Sequence, residues 1–161
     1  MGSLVSGCVV YASPPGGVHT SYNLLGSQQG SRAPPPDLFQ SHNEWFWPRD
    51  DPAAYGQLCW ANASLVRFVT ERVKTLLRAQ PDTNVISVSQ NDNGRYCNDT
   101  AERAVMAAEG SPMGPVSEML PLLSVHTLHM TDFVYTFVGT NCHPTLTTDL
   151  YIYFIPSCSG R

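Results

Sequence analysis

Positive charge is scarce in this chain: its 161 residues hold 9 Lys and Arg against 13 Asp and Glu, a formal net charge of −4, and form no basic cluster. Nucleic-acid binding is therefore not expected, because it needs Lys and Arg gathered on one face to neutralise phosphates. Long apolar runs are absent too. Leu150 to Pro156 is the longest, far short of the roughly 20 residues that span a bilayer, so no transmembrane segment is expected. The N-terminus has neither the Lys/Arg start nor the apolar stretch of a secretory signal. Gly2 and Ser6 fit the M-G-x-x-x-[ST] lipidation pattern with Cys8 nearby, a match that short patterns often make by chance, and localisation stays open. Close cysteine pairs are missing as well. Cys8, Cys59, Cys97, Cys142 and Cys158 are scattered and odd in number, which suggests neither a disulfide framework nor a zinc ribbon. His19, His126, His129 and His143 share no His-x-x-x-His or His-Glu spacing, so no metal and no cofactor are expected.

What the chain does have is turn formers: 13 Pro and 12 Gly with only 14% charged residues describe a loop-rich, mixed α/β chain rather than a helical bundle. From Ser13 to Pro36, Pro, Gly, Ser and Gln dominate, and regular elements there can only be short. Asn62 is a plausible helix cap, after which Leu65, Val66, Val69, Val73, Leu76 and Leu77 recur at helical spacing until Pro81. Arg67, Glu71, Arg72, Lys74 and Arg78 occupy the opposite side, the pattern of one stripe facing a core and another facing water. Val85-Ile86-Ser87-Val88-Ser89 reads as a short buried parallel strand. A second helix is predicted from about Thr100 to Glu109, stopping at Gly110. Phe133 to Val138 and Tyr151 to Ile155 are strand-like in composition.

The segment after the first strand, Gln90-Asn91-Asp92-Asn93-Gly94-Arg95-Tyr96-Cys97, is a run of hydrogen-bonding side chains that a core cannot bury without partners. Ligands gather at the carboxyl ends of parallel strands. Two amides and a carboxylate in succession suit sugar hydroxyls, each of which donates and accepts, and Tyr96 adds a stacking face. The plainer alternative is a turn, since Asn, Asp and Gly favour turns through local side-chain to backbone bonds. Upstream, Phe39-Gln40-Ser41-His42-Asn43-Glu44-Trp45-Phe46-Trp47-Pro48 sets aromatics around a carboxylate, either as a ligand platform or as buried packing. Asn62-Ala63-Ser64 and Asn98-Asp99-Thr100 fit the N-glycosylation acceptor pattern, which is common by chance, and Asn62 is better explained as the helix cap.

Val85 to Gly94 followed by Tyr96-Cys97 resembles the S-Q-N-D…G-x-C signature of domain-of-unknown-function family 4838, which is similar to α-glucuronidase-type glycoside hydrolase barrels. The likeness extends back through Gly56-Gln57-Leu58-Cys59-Trp60-Ala61-Asn62 and forward to Glu109-Gly110-Ser111-Pro112-Met113-Gly114-Pro115, with fainter likeness at Val18-His19-Thr20 and His42 to Phe46. Many relatives continue from the Cys97 position into a C-x-C-x-x-C cluster, whereas here Asn98-Asp99-Thr100-Ala101-Glu102 follows and removes those thiolates. The resemblance implies an α/β fold, a partial or truncated (β/α) TIM-barrel-like fragment, because a full barrel needs about 250 residues and eight strands. Residues 1–36 then form an irregular Pro/Gly-rich segment, 37–123 the family-like β/α part, and 124–161 a divergent tail.

On this reading two alternatives stand: a glycoside hydrolase-like domain acting on or binding polysaccharide, or a truncated, non-catalytic carbohydrate-binding remnant or interaction protein. Glycosidases use two carboxylates across the scissile bond. Asp92 is the first candidate, with Glu44, shielded from water by Trp45 and Trp47, or Glu109, beside the Gly110 turn, as its partner. His19, Trp45, Trp60, Gln90, Asn91 and Tyr96 are the candidates for binding the sugar. A third reading is a lipidated membrane-surface protein built on Gly2 and Cys8. Oligomeric state is left open.

Overall fold

The computed structural model of the protein describes residues 10–83, 85–118 and 151–153. Capping and apolar spacing account for its two longest helices. The Asn62 side-chain oxygen accepts from the Ser64 and Leu65 N–H groups at 2.9 and 3.3 Å and so opens α3 (Ala63–Ala79), satisfying donors that lack a partner inside the helix. Leu65, Val66, Val69, Val73 and Leu76 form its buried stripe, while Arg67, Glu71 and Arg78 are exposed. The helix ends two residues before Pro81. Further on, α4 (Thr100–Glu109) stops at Gly110, whose φ of 62° is a left-handed conformation that glycine adopts without a Cβ penalty.

The Pro/Gly-rich stretch contains α1 (Ser21–Leu24) and leads into α2 (Pro36–Ser41), both short. A 3-10 turn (Asn43–Trp45) feeds β1 (Phe46–Trp47), which pairs antiparallel with β2 (Gln57–Leu58), Trp47 lying opposite Gln57. Where a buried parallel strand is expected, β3 (Val85–Ser87) is buried at all three positions. Its ladder partner, however, is β4 (Tyr151–Tyr153), antiparallel with Val85 opposite Tyr153, and its parallel pairing is a single bridge to Tyr11. A short apolar run reports burial of both faces and carries no information about the direction of the neighbour, so direction is the part of the expectation that needs correcting. The strand-like Phe133 to Val138, the Gly2 and Cys8 pattern, and His126, His129, His143, Cys142 and Cys158 lie outside the described residues.

Ala12, Tyr22 and Leu24 share one apolar core with Trp45, Phe46, Trp60, the α3 stripe, Ile86, Val88 and Val116. The N-terminal segment is held against the end of β3 by hydroxyls. Thr20 Oγ1 donates to the Ser87 carbonyl at 2.9 Å, Ser21 Oγ donates to the Ser89 carbonyl at 2.6 Å, and the Thr20 and Ser89 N–H groups each reach the other residue's hydroxyl, at 3.1 and 3.0 Å. Buried backbone at the strand end is thereby satisfied without a further strand.

Candidate functional site

The loop leaving β3 is organised by one buried glutamine. Gln57 donates from its side-chain amide to the carbonyls of Asn91 and Asn93 at 2.6 and 2.9 Å, and its oxygen accepts from the Asn91 N–H at 2.9 Å. Asn91 returns a bond from Nδ2 to the Gly56 carbonyl at 2.7 Å, and Gln90 Nε2 donates to the Pro112 carbonyl at 3.1 Å. Gly56 is glycine of necessity, for a Cβ there would lie 1.7 Å from the Trp47 carbonyl oxygen. The amides of Gln90 and Asn91 are thus committed to backbone. Asp92 is exposed, and its N–H donates to the Tyr55 hydroxyl at 3.1 Å.

Cys59, just after β2, and Cys97, at the end of the same loop, form a disulfide with their Cα atoms 5.2 Å apart. A disulfide thus forms where the scattered cysteine spacing suggested no disulfide framework. The two lie 38 residues apart in a chain with an odd cysteine count, so spacing hides a contact that the β2 turn and the loop create in space. One signal was present: each family-like segment, Gly56 to Asn62 and Val85 to Cys97, holds one of them. Asp99 brings a carboxylate within 4.8 Å of both sulfurs, but bridged sulfurs are not the thiolates that ligate metals.

Glu102, on α4, is 1% exposed and accepts from the Trp60 and Ala61 N–H groups at 3.1 and 2.6 Å. Sequence patterning missed it, because a lone Glu in the first turn of an Ala-rich helix looks solvent-facing. Burial pushes its carboxyl up to about 7 from the ordinary 4.5; the Ala61 and Trp60 N–H groups oppose the rise and the charge of Asp99 adds to it. A raised acid binds its proton more tightly in the folded chain, so this contribution to stability is fully present below about 4.5 and lost as pH rises through about 7. Unfolding free energy is expected to fall by up to about 3 kcal/mol on this account between pH 5 and pH 8. Urea titrations across that range check it, and Glu102→Gln should flatten the slope; an unchanged slope in the variant assigns the effect elsewhere.

Beside the disulfide is a cavity of about 540 Å³ whose wall includes Trp47, Arg95, Tyr96, Asn98, Arg103 and Met106. Three devices fix its sides relative to one another. Gln57 pairs with Trp47 across β1 and β2 while gripping the Asn91–Asn93 backbone; the disulfide ties β2 to Cys97; and Arg49, its guanidinium 5.9 Å from the Trp47 ring, forms an ion pair with Asp99 at the entrance to α4.

The remaining sequence candidates are dispersed. Glu44 is half-exposed, with its carboxylate 3.4 Å from His42 Nδ1, and Glu109 is exposed at the end of α4. Trp45 is buried, stacked on the His42 ring at 4.1 Å, and donates from Nε1 to Ser64 Oγ at 2.7 Å. Trp60 is buried in the core. His19, with φ of 51°, places Nδ1 at 3.4 Å from the Gln90 carbonyl, and Tyr96 is the one candidate that lines the cavity. Of the cavity residues, Arg95, Asn98, Arg103 and Met106 were not among the binding candidates, and Trp47 entered only with the aromatic segment around Glu44.

No curated protein and no solved structure matches the chain. A family model described as a domain of unknown function (DUF4838) matches residues 6–153, nearly the whole length, and thus takes in the Gln57 network, the disulfide and the cavity together. The chain belongs to that family.

Proposed function

We propose that this chain binds carbohydrate in the cavity beside the Cys59–Cys97 disulfide. The observation that carries the reading is the composition of that wall. Trp47 and Tyr96 provide aromatic faces, and Arg95 and Arg103 hydrogen-bond donors with fixed positive charge. Apolar rings against the C–H faces of a sugar, with a few polar groups for its hydroxyls, make up the usual lining of a small-ligand pocket. The two guanidiniums extend the match to sugars bearing a carboxylate, which arginine can hold with two parallel hydrogen bonds.

Binding to a glycan array followed by calorimetry tests this. Trp47→Ala and Tyr96→Ala are each expected to weaken binding by about tenfold or more, equivalent to ~1.4 kcal/mol. Arg95→Ala and Arg103→Ala should weaken acidic glycans selectively. An array with no hit above background for the folded, disulfide-bonded chain removes the proposal.

Hydrolysis is the second reading, favoured by the exposed carboxylate of Asp92 on the loop that also carries Tyr96. Glu44 or Glu109 would then act as its partner. Release of reducing sugar that disappears in Asp92→Asn supports catalysis; binding without turnover leaves a carbohydrate-binding protein.

A further inference from the structure

Between the disulfide and α4 the chain reads Cys97-Asn98-Asp99-Thr100. Asn98-Asp99-Thr100 has the form of an N-glycosylation acceptor, and such a triplet becomes a site only where it lies on an exposed loop of a chain that matures in an oxidising compartment. Independent features bear on both conditions. Asn98 and Thr100 are exposed, and Asn98 lies outside any helix or strand. The buried Cys59–Cys97 disulfide, immediately before the triplet, is a bond that persists where glutathione does not hold thiols reduced.

The chain's other triplet is in a different situation. Asn62 Oδ1 accepts from Ser64 N, Ser64 Oγ and Leu65 N, while Ser64 Oγ also receives the Trp45 indole bond. Amide and hydroxyl of that triplet are both structural parts of the α3 cap. Among the described residues, neither the Asn98 side chain nor the Thr100 hydroxyl makes a hydrogen bond.

We propose that Asn98 is an N-glycan acceptor, presented on the loop that joins the disulfide to α4. The transfer joins Asn98 Nδ2 to the anomeric carbon of a lipid-diphosphate-linked oligosaccharide; the lipid diphosphate leaves with the bonding electrons, the amide loses one proton, and no oxidation or reduction occurs. The Asp99 ion pair with Arg49 holds the middle residue's side chain aside. This assignment does not depend on the cavity binding free saccharide.

The experiment is translation of the full chain behind a secretory leader into microsomes, followed by peptide-N-glycosidase digestion and peptide mass spectrometry. The expected result is an enzyme-sensitive mobility shift, with conversion of residue 98 to Asp, abolished in both Asn98→Gln and Thr100→Ala and retained in Ser64→Ala. Modification is read on the translocated chain whether or not a variant folds. An unshifted wild-type chain that is nonetheless protected inside the microsomes overturns the proposal, and so does a shift lost only in Ser64→Ala.

Discussion

Opening the Cys59–Cys97 bond is expected to cost the folded chain about 4 kcal/mol, the loop-closure estimate for a cross-link spanning 38 residues. In a chain of this size that corresponds to a fall in melting temperature on the order of 10 °C. The double replacement Cys59→Ala with Cys97→Ala is the cleaner form of the experiment, since it removes both thiols that reduction would free, and denaturant unfolding of the two proteins gives the difference directly. The effect should reach the proposed ligand as well, because Cys97 itself lines the cavity and Cys59 follows the strand that faces Trp47. A variant within 1 kcal/mol of the parent would mean that Gln57 and Glu102 suffice to hold the loop.

Gln57→Leu is expected to be nearly as damaging, at about 3 to 5 kcal/mol, although it exchanges one buried side chain for another of similar size. The substitution orphans the Asn91 N–H and the Asn93 carbonyl and takes one of two partners from the Asn91 carbonyl, which keeps the Asn93 N–H at 2.9 Å; each polar group left buried without a partner costs about 1 to 3 kcal/mol. Gln57→Glu supplies the internal control. A carboxylate can still accept from the Asn91 N–H but faces two carbonyls with no proton to give, so this variant should be impaired at neutral pH and partly recover in acid, where its protonated form donates one bond. Thermal unfolding at pH 5 and pH 8 tests both. If Leu is tolerated, the loop is not organised by this amide.

The helices were legible because their signals are local. A cap at Asn62, a 3.6-residue stripe through Leu76 and a left-handed glycine at position 110 each act within a few residues of themselves. The site was less legible because its organisation is long-range. Gln57 is 34 residues from Asn91, and Glu102 is 42 residues from Trp60; no window that reads periodicity spans such distances. The Gln90-Asn91-Asp92 run illustrates the consequence. Its composition suits both sugar hydroxyls and backbone partners, and the amides of Gln90 and Asn91 take the backbone of Pro112 and Gly56. The aromatic residues show the same ambiguity, since Trp45 and Trp60 are buried while Trp47 lines the cavity. Hydrophobicity is common to all three, and only the pairing of β1 with β2 distinguishes the last.

The hydroxyl clasp between Thr20 and Ser89 also constrains the order in which the chain can assemble. Its partners are 69 residues apart, so the cost in chain entropy of bringing them together falls before any of their bonds can repay it. Formation of α3 shortens the intervening tether, since a helical residue advances about 1.5 Å against more than 3 Å when extended. Thr20 and Ser21 therefore cannot make these bonds until β3 exists, and a nascent chain would have to emerge past Ser89 before the clasp could close.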